Sequence, residues 1–92
     1  MEKNKNTIKM TIKNKLGLHA RAAATLVKLT NKFNSEISIE KSGQVVNGKS
    51  IMGVMMLAAA KGHEIWVTAE GEDSNEALES IKQLVYDKFG EE

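Results

Sequence analysis

The stretch "TIKMTIKNKLGLHARAAATLVKL", Thr7 to Leu29, changes its hydrophobic period partway along, and that change decides the fold. At its start Ile8, Met10 and Ile12 alternate with polar residues, the two-residue repeat of a strand from Thr7 to Asn14 with one face buried and one in water. Past Leu16, Gly17 and Leu18 the apolar positions become Ala22, Leu26, Leu29 and Phe33, with Ala23 and Val27 widening the same stripe. The spacing predicts a helix from about Ala20 to Phe33. A half-buried strand followed by an amphipathic helix calls for a sheet with a helical layer over it.

The remaining segments repeat this logic. "EISIE" alternates through Ile37 and Ile39, "KSGQ" supplies turn residues, and Val45 and Val46 follow, which reads as a hairpin. "NGKSIMGVMMLAAAKG" reads as a short, mostly apolar helix with Ser50 as N-cap and Gly62 as its stop. "EIWVTAE", Glu64 to Glu70, alternates through Ile65, Val67 and Ala69. Asp73 with Glu76 three residues on resembles a capping box, and Ala77, Leu78, Ile81, Leu84, Val85 and Phe89 line one side of a last helix before Gly90. The predicted architecture is α+β, in the order βαββαβα, with all four strands in one sheet covered by helices on one face and wet on the other. A chain of 92 residues without a linker reads as a single domain over 1–92.

Composition removes several functional classes. Thirteen Lys and Arg against twelve Asp and Glu give a net charge of +1, no general attraction for nucleic acid or acidic membranes. Phe33, Trp66, Tyr86 and Phe89 are scattered over different elements, which leaves no aromatic platform for RNA. There is no cysteine, so neither a disulfide framework nor a thiolate metal site can form. His63 has no second ligand nearby and reads as a surface loop residue, so no metal and no cofactor are expected. "MEKNKNTIKM" contains no apolar leader and no stretch is long enough to span a bilayer; a cytoplasmic protein is expected.

One position carries distinctive chemistry. His19 stands where the first helix begins, beside four backbone N–H groups without intrahelical partners and the positive end of the helix dipole. That end disfavours a positive ring and welcomes a negative group attached to it. Arg21 adds a planar fork of donors suited to phosphate oxygens, and Gly17 allows a tight turn before the histidine. Placement alone also fits an ordinary turn histidine and a solvated arginine.

The segments "GLHARAAA" and "VNGKSIMGVMMLAAAKG" resemble the two signature regions of HPr, the histidine-containing phosphocarrier family of the phosphoenolpyruvate-dependent sugar phosphotransferase system, and "AEGEDSNEALESI" looks like the family's closing strand-to-helix segment. The resemblance spans essentially the whole chain. It implies an open-faced β-sandwich, a four-stranded antiparallel sheet with three helices on one side. It further implies a carrier rather than a stand-alone enzyme: His19 would accept a phosphoryl group on Nδ1 from phosphorylated enzyme I and pass it to IIA-type proteins, with Arg21 steadying the phosphoryl oxygens. Ser50 would match a serine modified by an ATP-dependent kinase. The family most often has proline where Ala22 stands; alanine, the best helix former, keeps that turn helical.

Docking to such partners is expected on Ala20, Ala24, Lys28, Ile51, Met52 and Met55. Ile51, Met52 and Met55 cannot all face one core from so short a helix, and flexible methionines suit several partners, although at least one of Met52, Met55 and Met56 is expected to fill the core. A serine kinase and a transcription regulator would be further partners of a mainly regulatory, HPr-like module. Sequential docking with several partners favours a monomer.

Overall fold

The computed structural model describes residues 4–91; residues 1–3, part of the segment read above as lacking an apolar leader, lie outside that range. Its elements are β1 (Lys5–Thr11), α1 (Ala20–Thr30), β2 (Glu36–Lys41), β3 (Gln44–Asn47), α2 (Ile51–Met56), β4 (Glu64–Glu70) and α3 (Ser74–Tyr86), followed by a 3-10 turn at Lys88–Gly90. The order βαββαβα is the predicted one. The strands form one sheet in the spatial order β1-β4-β2-β3, every neighbouring pair antiparallel.

Alternation sets which face is covered. In the register, Ile8 and Ile39 flank Val67, and Met10 pairs with Ile65. Met10, Ile37, Ile39, Ile65, Val67 and Ala69 are buried in one core with Ala22, Ala23 and Leu26 of α1, Val54 of α2, and Leu78 and Ile81 of α3. On the opposite face Lys9, Trp66 and Glu40 stand side by side, exposed. One face of the sheet is thus helix-covered and the other open to water.

The elements depart from the sequence reading where contacts between distant residues outweigh local preference. The helical period runs on to Phe33, yet α1 stops at Thr30. The Thr30 hydroxyl donates to the Gly48 carbonyl at 2.8 Å, and the amides of Lys32 and Phe33 turn back to Leu29 and Thr30, three residues behind, which tightens the chain out of the α-helix. The run Ala58–Ala60 is not helical, although alanine is the best helix former. Here α2 ends at Met56, Ala58 takes a φ of 49°, and the buried Ala59 carbonyl accepts the Leu18 amide at 2.8 Å. Gly62 lies in the turn before β4 and stops no helix; its amide bonds the Ile12 carbonyl.

Asp73 precedes α3 without capping it through its side chain. Its carboxylate instead accepts the amides of Asn34 and Ser35, at 2.8 and 2.9 Å, and the Ser35 hydroxyl, tying the start of α3 to the loop before β2. The Ser35 hydroxyl first, then the Asn34 amide, hold this carboxyl below the ordinary aspartate range. A depressed folded-state value means that the unfolded chain takes up the proton first, so stability is present above the unfolded value and drains away as pH falls through the folded one. The gap in Tm between wild type and Asp73→Asn is therefore expected to be constant above about pH 5 and to close progressively below it. Thermal scans at fixed ionic strength check this; a gap that widens in acid would contradict it.

Candidate functional site

Local rules place His19. Gly17 has a φ of 69°, a region in which glycine suffers no side-chain penalty, and the chain turns there toward the helix. Leu18 then buries its side chain and bonds Ala59, while His19 adopts an extended conformation as N-cap of α1. The His19 carbonyl accepts the first helical bond from Ala23 at 2.8 Å, but its ring caps no helical amide. The ring is therefore free for another partner, and its side chain keeps 29% of its surface in solvent.

That partner is Glu91. Its carboxylate oxygen Oε2 lies 2.6 Å from His19 Nε2, and Oε1 accepts from the Asn14 side-chain amide at 3.0 Å. The same Asn14 amide nitrogen also donates to the Gly17 carbonyl at 2.7 Å. The Asn14 bond leads in holding the Glu91 carboxyl below the ordinary glutamate range; burial opposes it, and His19 and the positive charge of Arg21 add to it. Glu91 is thus an ionised acceptor at neutral pH. An ionised carboxylate cannot donate, so His19 Nε2 carries the proton in this contact, and in the tautomer that satisfies it the lone pair of an uncharged ring lies on Nδ1.

Lys15, Leu16, Ala20 and Arg21 border the same shallow depression as His19 and Glu91. Its rim combines two cations with an exposed leucine, a surface suited to a negatively charged group carried on a protein partner. Arg21 is exposed at the first turn of α1. Ala20, Ala24 and Lys28 follow one another at four-residue steps on the exposed side of that helix.

Ser50 is N-cap of α2: its hydroxyl accepts the Gly53 amide at 3.0 Å. It does not border the depression around His19. Beside it Ile51, Met52 and Met55 are exposed. The expectation that one of Met52, Met55 and Met56 fills the core is wrong. All three are exposed, and the short helix sends Val54 inward instead. His63 sits apart in the turn before β4, where its Nδ1 accepts the Ala60 amide at 3.0 Å. Among the described residues no group of three or more His, Cys, Asp or Glu is placed to hold a metal ion, and no helix is long and apolar enough to cross a membrane.

Sequence reasoning missed Asn14 and Glu91. For Asn14 the one signal in the sequence was an uncharged amide between Lys13 and Lys15; its burial appears only in the structure. Glu91 had none, being 72 residues from the histidine it touches.

A half-exposed histidine at a helix start, its Nε2 held by a carboxylate, on a four-stranded sheet with helices on one face and the other face open, describes a class of small open-faced α+β protein. Comparison with known proteins gives the family. Residues 6–87 match the family described as "PTS HPr component phosphorylation site". The phosphocarrier protein HPr of Xylella fastidiosa (strain Temecula1) is 47% identical over 83 residues, which cover 90% of this chain and 93% of that protein. The HPr-like protein Crh of Bacillus subtilis is 45% identical over 87% of this chain and 94% of its own length. The crystal structure of HPr-C-His from Thermoanaerobacter tengcongensis superposes with a TM-score of 0.91 at 46% identity, covering 95% of this chain and 98% of that one. A crystal structure of an HPr dimer from the same organism gives 0.76 at 46% identity, over 91% and 97%. The chain belongs to the HPr family of phosphocarrier proteins of the phosphotransferase system.

Proposed function

We propose that this chain carries a phosphoryl group on Nδ1 of His19, taking it from phosphorylated enzyme I and giving it to IIA-type proteins. The observation that carries the proposal is the Glu91 contact on Nε2, which leaves Nδ1 as the nucleophilic nitrogen. The phosphoryl group arriving there meets the positive end of α1 and the guanidinium fork of Arg21. Both favour the bound group without enclosing it, so a partner can still remove it. The chain acts as a substrate and relay within one domain in the cytoplasm. Incubation with phosphoenolpyruvate and enzyme I is expected to put one acid-labile, base-stable phosphoryl group on each chain. No uptake, or uptake of an acid-stable group alone, would sink the proposal.

Ser50 is the proposed site of a serine kinase. A phosphate there adds a charge of about −1.5 to −2 beside Ile51, Met52 and Met55. Aspartate is itself a good N-cap, so Ser50→Asp is expected to keep the fold within about 1 kcal/mol while slowing phosphoryl uptake from enzyme I. Urea unfolding and initial rates of labelling measure the two effects, and an unchanged rate would remove this role.

A mainly regulatory module, with a transcription regulator as partner, is the second reading. The similarity to Crh, an HPr-like protein, favours it, and the presence of a histidine at position 19 favours the carrier. A monomer fits sequential docking of partners on one small face. The dimer known for a related HPr makes sedimentation of this chain by ultracentrifugation the direct check.

A further inference from the structure

Two local costs converge on one contact. After α3 the chain passes through Lys88 and Phe89, both with φ near +60°, a left-handed conformation that non-glycine residues seldom adopt twice in succession. Phe89 is anchored in the core at 5% exposure, and the reversal it makes with Gly90 brings Glu91 onto His19. At the other end of the contact Asn14, fully buried, spends its amide nitrogen on Gly17 and Glu91 and leaves its own Oδ1 without a partner among the described residues. Backbone strain and an orphaned buried acceptor are both uncommon, and both tend to mark functional positions.

We infer that Glu91 is a positioning residue that keeps the ring proton on His19 Nε2 throughout the transfer cycle. The inference rests on the reading of His19 as phosphoryl acceptor. When the Nδ1 lone pair attacks phosphorus, the Nδ1–P bond forms, the donor's bond to phosphorus breaks, and the leaving group departs with that electron pair. The ring then bears a positive charge with its proton still on Nε2, and the Glu91 carboxylate faces it. In the onward step the Nδ1–P bond breaks and its electrons return to Nδ1, so the leaving group is neutral imidazole. Without that proton it would be imidazolate, a far poorer leaving group. Among the described residues Lys15 and Arg21 are the other charged side chains bordering the site, and both oppose a positive ring, so Glu91 is the described group that balances it.

The test uses the full chain with 15N-labelled histidine, in wild type, Glu91→Ala and Glu91→Gln. Before any phosphorylation, two-bond proton–nitrogen correlation spectra are expected to show His19 with its proton on Nε2 in the wild type. Glu91→Ala is expected to show a mixture of tautomers. A wild-type proton on Nδ1, or identical spectra for wild type and Glu91→Ala, would overturn the inference. Each chain is then phosphorylated with phosphoramidate, whose P–N bond breaks as ammonia leaves, and the loss of the phosphoryl group is followed by 31P NMR from pH 5 to 9. At the alkaline end the wild type is expected to lose it about tenfold faster than either variant, the low end of the effect seen when the carboxylate partner of a metal-ligating histidine is removed. The difference should vanish in acid, where solvent protons suffice. Wild-type behaviour in Glu91→Gln would overturn the role of the charge. Failure of phosphoramidate to label His19 in any chain would instead overturn the carrier reading, while the spectra of the unmodified chains would still decide the role of Glu91 in the free protein.

Discussion

His19→Ala is expected to take up no acid-labile phosphoryl group from labelled phosphoenolpyruvate and enzyme I, while its circular dichroism spectrum remains that of the wild type. Loss is expected to be complete because the only other histidine has a different setting. His63 lies in an exposed turn, and its Nδ1 is already occupied by the Ala60 amide. The fold should tolerate the change, since the ring of His19 caps no helical amide and the helix-starting bond uses its backbone carbonyl. Residual acid-labile label on the His19→Ala chain would move the acceptor elsewhere and remove the basis of the proposed function.

Gly17→Ala is expected to be the most damaging single methyl group near the site. A Cβ there would meet the Ala59 carbonyl oxygen at 2.4 Å and the Ala60 Cα at 2.9 Å, both backbone atoms with no rotamer to yield. It would also force a side chain into a φ of 69°. The left-handed conformation costs about 1 to 2 kcal/mol and overpacking about 1 to 3, so a loss of about 2 to 5 kcal/mol is expected. A chain of this length has a total stability on the order of 5 to 14 kcal/mol. Chains that still fold would have to part Leu18 from Ala59 and shift His19, so labelling should slow as well. Gly43→Ala is the control. Gly43 also has a positive φ, 85°, but nothing lies within 4 Å of its added methyl, so only the conformational cost remains. Equal urea midpoints for the two variants would show that the close approach at Gly17 is unimportant.

What the sequence made legible follows from distance along the chain. Strand alternation, the Ser50 cap and the position of His19 before α1 depend on residues within a turn or two of each other, and all three appear in the structure. The end of α1 was not legible because Phe33 keeps the helical period while Thr30 is captured by Gly48, 18 residues away. Asp73 looked like part of a capping box because Glu76 follows it at the right interval, but its partners Asn34 and Ser35 are 39 and 38 residues back. The methionines of α2 misled for a related reason: side-chain hydrophobicity says which residues could be buried, and the orientation of a six-residue helix says which are. At the candidate site the motif pointed to His19 and Arg21, and both border one depression. The carboxylate on the ring stayed hidden, since no local pattern links residue 91 to residue 19.

The strand order has a consequence for how the molecule is made. Lys5 faces Glu70 and Thr11 faces Glu64, so β1 emerges first from the ribosome yet finds its neighbour only after β4 has been synthesised. Until then β2 and β3 can form their hairpin, but β1 has no edge to join, and closing so long a loop makes its docking a late and slow event. The histidine loop, strung between β1 and α1, gains its final shape in that same closing step, so in a nascent chain His19 reaches its native setting only when the sheet is complete.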